Sequence, residues 1–383
     1  MPSQHAAITA SGSYRWLNCP PSARWAEEFP DTASAAAEEG TKAHALAEKK
    51  LNAWIRSGRR QRFKEDDEVM QEATDNYRDY VIGIYNDLKA AGSDPDLNVE
   101  VRLDLSDWVP EGFGTSDACI PSTKTLHIID LKYGKGVKVG AENNSQMRLY
   151  ALGAAALFGP LYEFDKVAMH IYQPRLDNIS VEEISLKELL EWGESIKPIA
   201  KLAFDGKGEA RSGDWCTFCP CRHVCKTRAS EMFSVLEEQP DTTFMTLEDV
   251  AAYLPKLDEA IKWAKGLQDY ALEKAKAGEK VPGYKLVEGR AVRKIKDDEA
   301  LAAALGSAGY TADQIWKPKE LQTLTALERL VGKKAFASDY ADFLEKPSGK
   351  PVLVPENDKR PELQTLTAEN MFKEIKEGEN HAA

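Results

Sequence analysis

No apolar stretch in the 383 residues approaches the roughly 18–20 that a membrane-crossing helix requires, so no membrane partner is expected. The first twenty residues, MPSQHAAITASGSYRWLNCP, contain neither a basic leader nor an apolar run, which argues against a secretory signal and for a soluble cytoplasmic setting. Neither a Walker A loop nor a Gly-x-Gly-x-x-Gly motif is present, and with them goes the expectation of a nucleotide-driven motor. Basic residues are in deficit, 50 Lys and Arg against 62 Asp and Glu, for a formal charge of −12. A surface built throughout to coat phosphates is therefore not expected. The deficit is local, however. Residues 65–107 hold thirteen acidic and three basic side chains, and the remainder is near neutral, with room for a basic groove. Cysteine is scarce, six in all, and in a cytoplasmic chain these read as metal ligands or buried thiols rather than disulfides.

The composition that remains, 43% hydrophobic and 29% charged, is that of a folded protein, and the length suggests two or three domains. Helical periodicity predicts helices over 34–57, with Leu46, Leu51 and Ile55 at helical spacing, and over 66–91. Strands are predicted at 98–105, 113–120, 125–132 and 165–173, and helices at 143–158 and 186–203. This order describes an α/β core, a mixed sheet flanked by helices, occupying 1–235. A mainly helical C-terminal region is expected over 240–383. Its first helix starts at Thr246-x-x-Asp249 and is interrupted at Pro255. A hairpin is predicted over 284–295, and Leu-Gln-Thr-Leu-Thr-Ala occurs at 321–326 and again at 363–368, as two similar helix starts. No catalytic signal is found in that region.

The sharpest constellation is Gly114-Thr-Ser-Asp117 followed by Asp130-Leu-Lys132. A turn of even length centred on Ser122-Thr-Lys-Thr125 makes Asp117 and Asp130 cross-strand neighbours, with Lys132 on the same face as Asp130. Two like charges at such a distance call for a cation, and hard oxygen ligands suit Mg2+. The bland alternative is a solvated hairpin with a surface ion pair. His44 shares a helical stripe with Ala47, Leu51 and Ile55, as a buried core residue or a ligand. Gln146 and Tyr150, four apart on one helical face, suit either an ordinary interface or contact with a phosphate or base. Lys135 and Lys138 add local positive charge, and Glu100 on the preceding strand is a further acidic candidate.

With these residues in place, the chain resembles RecB-like nucleases of the PD-(D/E)xK superfamily, and more narrowly phage-encoded members. The likeness rests on His44, Asp117, Asp130-Leu-Lys132 and Gln146-x-x-x-Tyr150 over about residues 10–230. It implies a restriction-endonuclease-like core and Mg2+- or Mn2+-dependent hydrolysis of DNA phosphodiesters, exonucleolytic rather than endonucleolytic, in phage replication or recombination. Phage single-strand-binding or recombination proteins would be further partners, in an infected or prophage-carrying bacterial host. By that resemblance Asp117, Asp130, the Leu131 carbonyl and His44 hold the metal, Lys132 assists the attacking water, and Gln146 and Tyr150 contact DNA. Ser116 stands where the motif has proline, and Asp130 is the shorter of its two permitted acids.

Four cysteines crowd into Cys216-Thr-Phe-Cys219-Pro-Cys221-Arg-His-Val-Cys225, with Cys19 far upstream and Cys119 in an apolar stretch where it is expected to be buried. The same resemblance, to the iron–sulfur subset, implies a [4Fe–4S] cluster on Cys19, Cys216, Cys219 and Cys225. It leaves Cys221 without a role. The alternative is structural Zn2+ on Cys216, Cys219, Cys225 and either Cys221 or His223. Residues 201–228 carry six basic side chains against three acids, as part of a DNA path or a solvated rim. Two other readings remain open: a catalytically idle nuclease-fold module that binds DNA or scaffolds other proteins, and a zinc-ribbon protein that makes no use of the hairpin.

Overall fold

Strand alternation sorts the apolar residues of this chain onto two faces of one sheet, and helices cover both. The computed structural model describes residues 8–29, 35–63, 65, 67–237, 245–285 and 287, with isolated positions from 299 to 338. Two short helices, α1 (Ser13–Asn18) and α2 (Ser22–Trp25), precede the long pair α3 (Ala35–Ser57) and α4 (Glu68–Ala90). Strands β1 (Asn98–Asp104), β2 (Phe113–Pro121) and β3 (Thr125–Leu131) follow, then α5 (Ser145–Phe158), β4 (Lys166–Gln173), β5 (Asn178–Ser185) and α6 (Leu186–Phe204). After the cysteine-rich loop come α7 (Lys226–Glu237) and α8 (Leu247–Lys276).

The sheet has the order β1-β2-β3-β4-β5; β3 and β4 are parallel and the other neighbours antiparallel. One face packs Leu103, Cys119, Ile128 and Met169 against Met147, Leu149 and Leu152 of α5 and Leu189 of α6. The other packs Ala118, Ile120, Ile129 and Leu131 against Ala47 and Leu51 of α3 and Tyr77, Val81 and Ile82 of α4. The result is a three-layer α/β/α arrangement. Ile55, expected on the inward stripe of α3, is 45% exposed, because the last turn of the helix extends beyond the sheet-covering Ala47 and Leu51. Between α3 and α4 lies a residue no pattern announces. Lys50 is fully buried, its Nζ 2.9 Å from the Gln71 carbonyl, 2.8 Å from Thr74 Oγ1 and 2.9 Å from Asp75 Oδ1. Burial pulls its pKa down, against the opposing bond and charge of Asp75. Three oxygen partners are what make a buried ammonium tolerable.

The chain divides into two compact units, Met1–Val287 and Glu288–Ala383, and α8 belongs to the first. It begins in a reciprocal cap between Thr246 and Asp249, as expected, but runs on through Pro255. Proline costs the helix the bond to the Ala251 carbonyl, a loss taken at an exposed position rather than in the core. The predicted hairpin at 284–295 and both copies of the hexapeptide lie outside the described residues, apart from positions 284, 285 and 287.

A candidate metal and phosphate site at the splayed end of the sheet

The β2–β3 register is Ala118↔Ile129, Cys119↔Ile128, Ile120↔His127 and Pro121↔Leu126, closed by Ser122, whose N–H and hydroxyl both donate to the Thr125 carbonyl at 3.0 and 2.7 Å. One step further along the same register sets Asp117 opposite Asp130. On the other side, Val99↔Ala118 and Val101↔Ser116 set Glu100 opposite Asp117. Three carboxylates thus form a row across three adjacent strands. The ladder is broken at that row. Glu100 has φ +52°, in the left-handed region, and Val99 packs with α3 and α4 whereas Val101 packs with α5 and α6. Residues two apart on a strand ordinarily share a face, so the turn at Glu100 re-aims its side chain. Asp117 Oδ2 in turn accepts from the Leu131 N–H at 2.7 Å, tying its carboxylate to the neighbouring strand's backbone.

His44, from α3, places Nδ1 3.0 Å from Asp117 Oδ1. Burial pushes this imidazole's pKa down, but the Asp117 bond and the charges of Asp117 and Asp130 reverse that, and the net direction is up. One ligating atom each from His44, Glu100 and Asp117 lie within 4.8 Å of one another. Glu100, on the sequence only an extra candidate, is therefore a central member. Burial, then the charges of Asp117 and Glu48, raise its carboxyl to about 7. A group held in that way favours either a proton or a cation.

Asp130 is 3% exposed. Its Oδ2 makes an ion pair with Lys132 Nζ at 2.9 Å but accepts no well-directed hydrogen bond, and its Oδ1 has Gln146 Nε2 at 3.4 Å. Burial raises its pKa, with Lys132 opposing and Asp117 reinforcing. Lys132 also donates to Gln146 Oε1 at 2.9 Å, and Gln146 Nε2 donates to Tyr150 Oη at 3.2 Å. This chain of polar contacts is placed by the start of α5. Asn144 caps the helix, accepting from the N–H groups of Gln146 and Met147 at 3.1 and 3.2 Å, and so fixes the turn from which Gln146 projects. Tyr150 needs Gly114 beneath it, since a Cβ there would stand 2.6 Å from the ring. The donor set, one imidazole and a row of carboxylates, fits a hard divalent cation.

The cysteines form a second locus. Cys19, Cys216, Cys219 and Cys221 are buried and Cys225 half-buried. Burial raises the Cys19 thiol, backbone N–H groups of Arg211 and Ser22 oppose this, and Cys216 and Cys219 are near enough to add their charge. Cys221, left without a role by the sequence reading, has Sγ 3.4 Å from that of Cys219. Donation from Cys221 is the main influence holding Cys219 down, at about 6. His223, the alternative zinc donor, has its ring against Gly266 of α8, and its Nε2 accepts from Arg222 at 2.9 Å. Cys119 is fully buried, its thiol pushed up to about 12 by burial, as expected of a core residue.

The fold and this site define an α/β protein with a carboxylate–histidine–lysine cluster at a break in its sheet. The family described as Protein of unknown function (DUF2800) matches residues 5–361, and the chain belongs to it. Among solved structures, the chain is similar to the one described as "Crystal structure of SSO0001", at 16% identity over 60% of this chain and 89% of that one, with a TM-score of 0.29. Among the described residues no helix is long and apolar enough to cross a membrane.

Proposed function

We propose that this protein is a metal-dependent deoxyribonuclease of the RecB-like PD-(D/E)xK type, an exonuclease of phage DNA replication or recombination, whose cysteines carry a structural [4Fe–4S] cluster. The row Glu100, Asp117 and Asp130, with Lys132 against one end and His44 against the middle, is the observation that supports it most. His44, Asp117 and Asp130, joined by Glu100, would hold Mg2+ or Mn2+. What such an ion supplies is a polarised phosphoryl oxygen and a more acidic water.

The side chains divide the remaining work. Lys132 brings positive charge to where negative charge builds on the phosphate, and Asp130 and Gln146 hold its ammonium in place. Gln146 and Tyr150, joined by their own hydrogen bond, offer an N–H and an O–H to phosphate or sugar oxygens. Cys19 and the 216–225 loop, meeting across the core, would clasp the chain's beginning to its far side. The test is an anaerobic purification, followed by metal analysis, an absorption spectrum, and labelled DNA with Mg2+ or Mn2+. Brown, iron-loaded protein whose cleavage needs the added ion and vanishes in Asp130→Asn is expected. Cleavage undiminished by that change, or no cleavage by iron-loaded protein with either ion, overturns the nuclease reading.

A further inference from the structure

Helix α8 carries a pattern that the carboxylate row and the cysteines do not use. Its inner side packs on α7, where the Trp263 and Phe233 rings meet edge-on at 5.5 Å and Glu259 pairs with Arg228 at 2.7 Å. Leu254 lies nine residues before Trp263, two and a half turns, and so on the opposite side of the helix. With it run Leu247, Val250, Leu257, Ile261 and Ala264, spaced alternately three and four residues apart. That is the 3.5-residue period of a helix seam that packs on another helix. All six are exposed, Leu247 to 84% and Ile261 to 65%. Left in water, such a stripe forfeits the gain from burying apolar surface.

The seam positions hold no charged or polar side chain over about 27 Å of helix, from Leu247 to Ala264. Pro255 falls outside them, and Ala251 and Ala260 at the flanks are small enough to let a second helix approach closely. The stripe is also complementary to itself. When Leu254 is set against Leu257 of an antiparallel copy, Val250 meets Ile261 and Leu247 meets Ala264, and the two-fold axis repeats each pair. Every layer is then apolar, and the end layers join a large side chain to a small one. Charge selects the same direction. Glu248 and Asp249, in the first turn, come level with Lys262 and Lys265 of the antiparallel copy, whereas parallel alignment sets acid beside acid and lysine beside lysine. Opposed helix dipoles add to this preference.

We propose that α8 is a self-association surface, and that it pairs with α8 of a second copy of this chain in an antiparallel two-helix seam. The inference is independent of the nuclease reading, and it gives a role to a helix in which no catalytic signal is found. A partner of unrelated sequence requires no match between the stripe and its own reverse, so the two-fold fit of apolar layers and charges is what selects a second copy. Trp263 faces away from the seam, so each copy keeps its α7 contacts and association requires no refolding.

Sedimentation velocity of the full chain from about 1 to 100 μM should show a reversible monomer–dimer equilibrium. Leu254→Glu and Leu257→Lys each bring two unpaired charges into the seam. Either should weaken association by at least about a hundredfold and leave a monomer over that range. Both positions are exposed in the single chain, so circular dichroism should be unchanged. Mixed in equal amounts, the two variants should dimerise again. In the antiparallel register the new carboxylate of one chain faces the new ammonium of the other, and the unaltered leucines face each other. A parallel seam sets each position against itself and gives no such rescue. A chain that stays monomeric throughout, as it would if another segment of its own length covered the stripe, overturns the proposal. So do dimers that survive both substitutions, and so does a mixture of the variants that remains monomeric.

Discussion

Strands β3 and β4 support two polar clusters, and the histidines in them respond to burial in opposite ways. One is the row of carboxylates, with Lys132 beside Asp130 on β3 and His44 reaching Asp117 from α3. On the α4 side, three residues earlier in β3, His127 Nδ1 lies 3.0 Å from His170 Nε2, and His170 Nδ1 lies 2.9 Å from Tyr80 Oη. Among the described residues no carboxylate bonds to this second pair. Burial lowers His127 to about 4 and His170 to about 3, and both stay neutral. The Tyr80 hydroxyl and the two rings are thereby linked in one chain of hydrogen bonds. At His44 the same penalty is overridden by Asp117 and Asp130. Partner chemistry, not depth, decides whether an imidazole here is a charge-bearing site residue or part of the packing.

Removing the charged partner is the strongest way to break that contrast. Lys132→Ala leaves Asp130 buried without its ammonium, so the carboxyl should take up a proton more readily, and metal-dependent DNA cleavage should fall by at least about a hundredfold. A rate within a few-fold of the unaltered protein would place Lys132 outside the chemistry. Acid sharpens the other side of the comparison. Because the folded-state pKa values of His127 and His170 lie below the unfolded value near 6.5, their contribution to stability is full above about 6.5 and is lost as pH falls through 4 and 3. Denaturant midpoints should show an acid loss on the order of 4 kcal/mol between pH 7 and 5, about half from each imidazole, absent in the double variant His127→Gln/His170→Gln. Parallel pH profiles for the two proteins would show that these imidazoles do not titrate with unfolding. The smallest effect is expected at Glu100. Its carboxyl is raised to about 7, so its favourable contribution is present below the unfolded value and disappears as pH rises through 7. In metal-free protein Glu100→Gln should raise the melting temperature slightly at pH 8 and leave it unchanged at pH 5. An equal gain at both pH values would mean that ionisation is not the cause.

The part of this molecule most legible in its sequence is the hairpin. A two-residue turn between Ser122 and Thr125 and clean alternation on either side leave one register, which fixes Asp117 against Asp130. Thr246 likewise announces its helix, because a cap is a local interaction. What escaped was set by distant contacts. β5, with Asn178 to Ser185 half-exposed and rich in glutamate, lacks an apolar run and exists because β4 offers it an edge. The break at Glu100 leaves no mark in NVEVRLDL, whose regular alternation predicts an unbroken strand. The buried Lys50 and the His127–His170–Tyr80 chain depend on partners 21 to 90 residues away. The clustering of Cys216 to Cys225 was plain, whereas the packing of Cys221 against Cys219 was not.

The anchoring of the first helices has a consequence for how the protein is made. Ser13 bonds to Ser145, Arg24 donates to the Phe204 carbonyl at 2.7 Å, and Tyr14 packs on Trp215. At a synthesis rate of roughly 5–20 residues per second, this segment waits about ten to forty seconds for the last of these partners. During that interval Trp16, Cys19 and Ala23, all buried in the finished fold, have nothing to cover them. The nascent chain therefore carries its own exposed apolar patch near the N-terminus, and a chaperone binding there early would act in the window that synthesis itself leaves open.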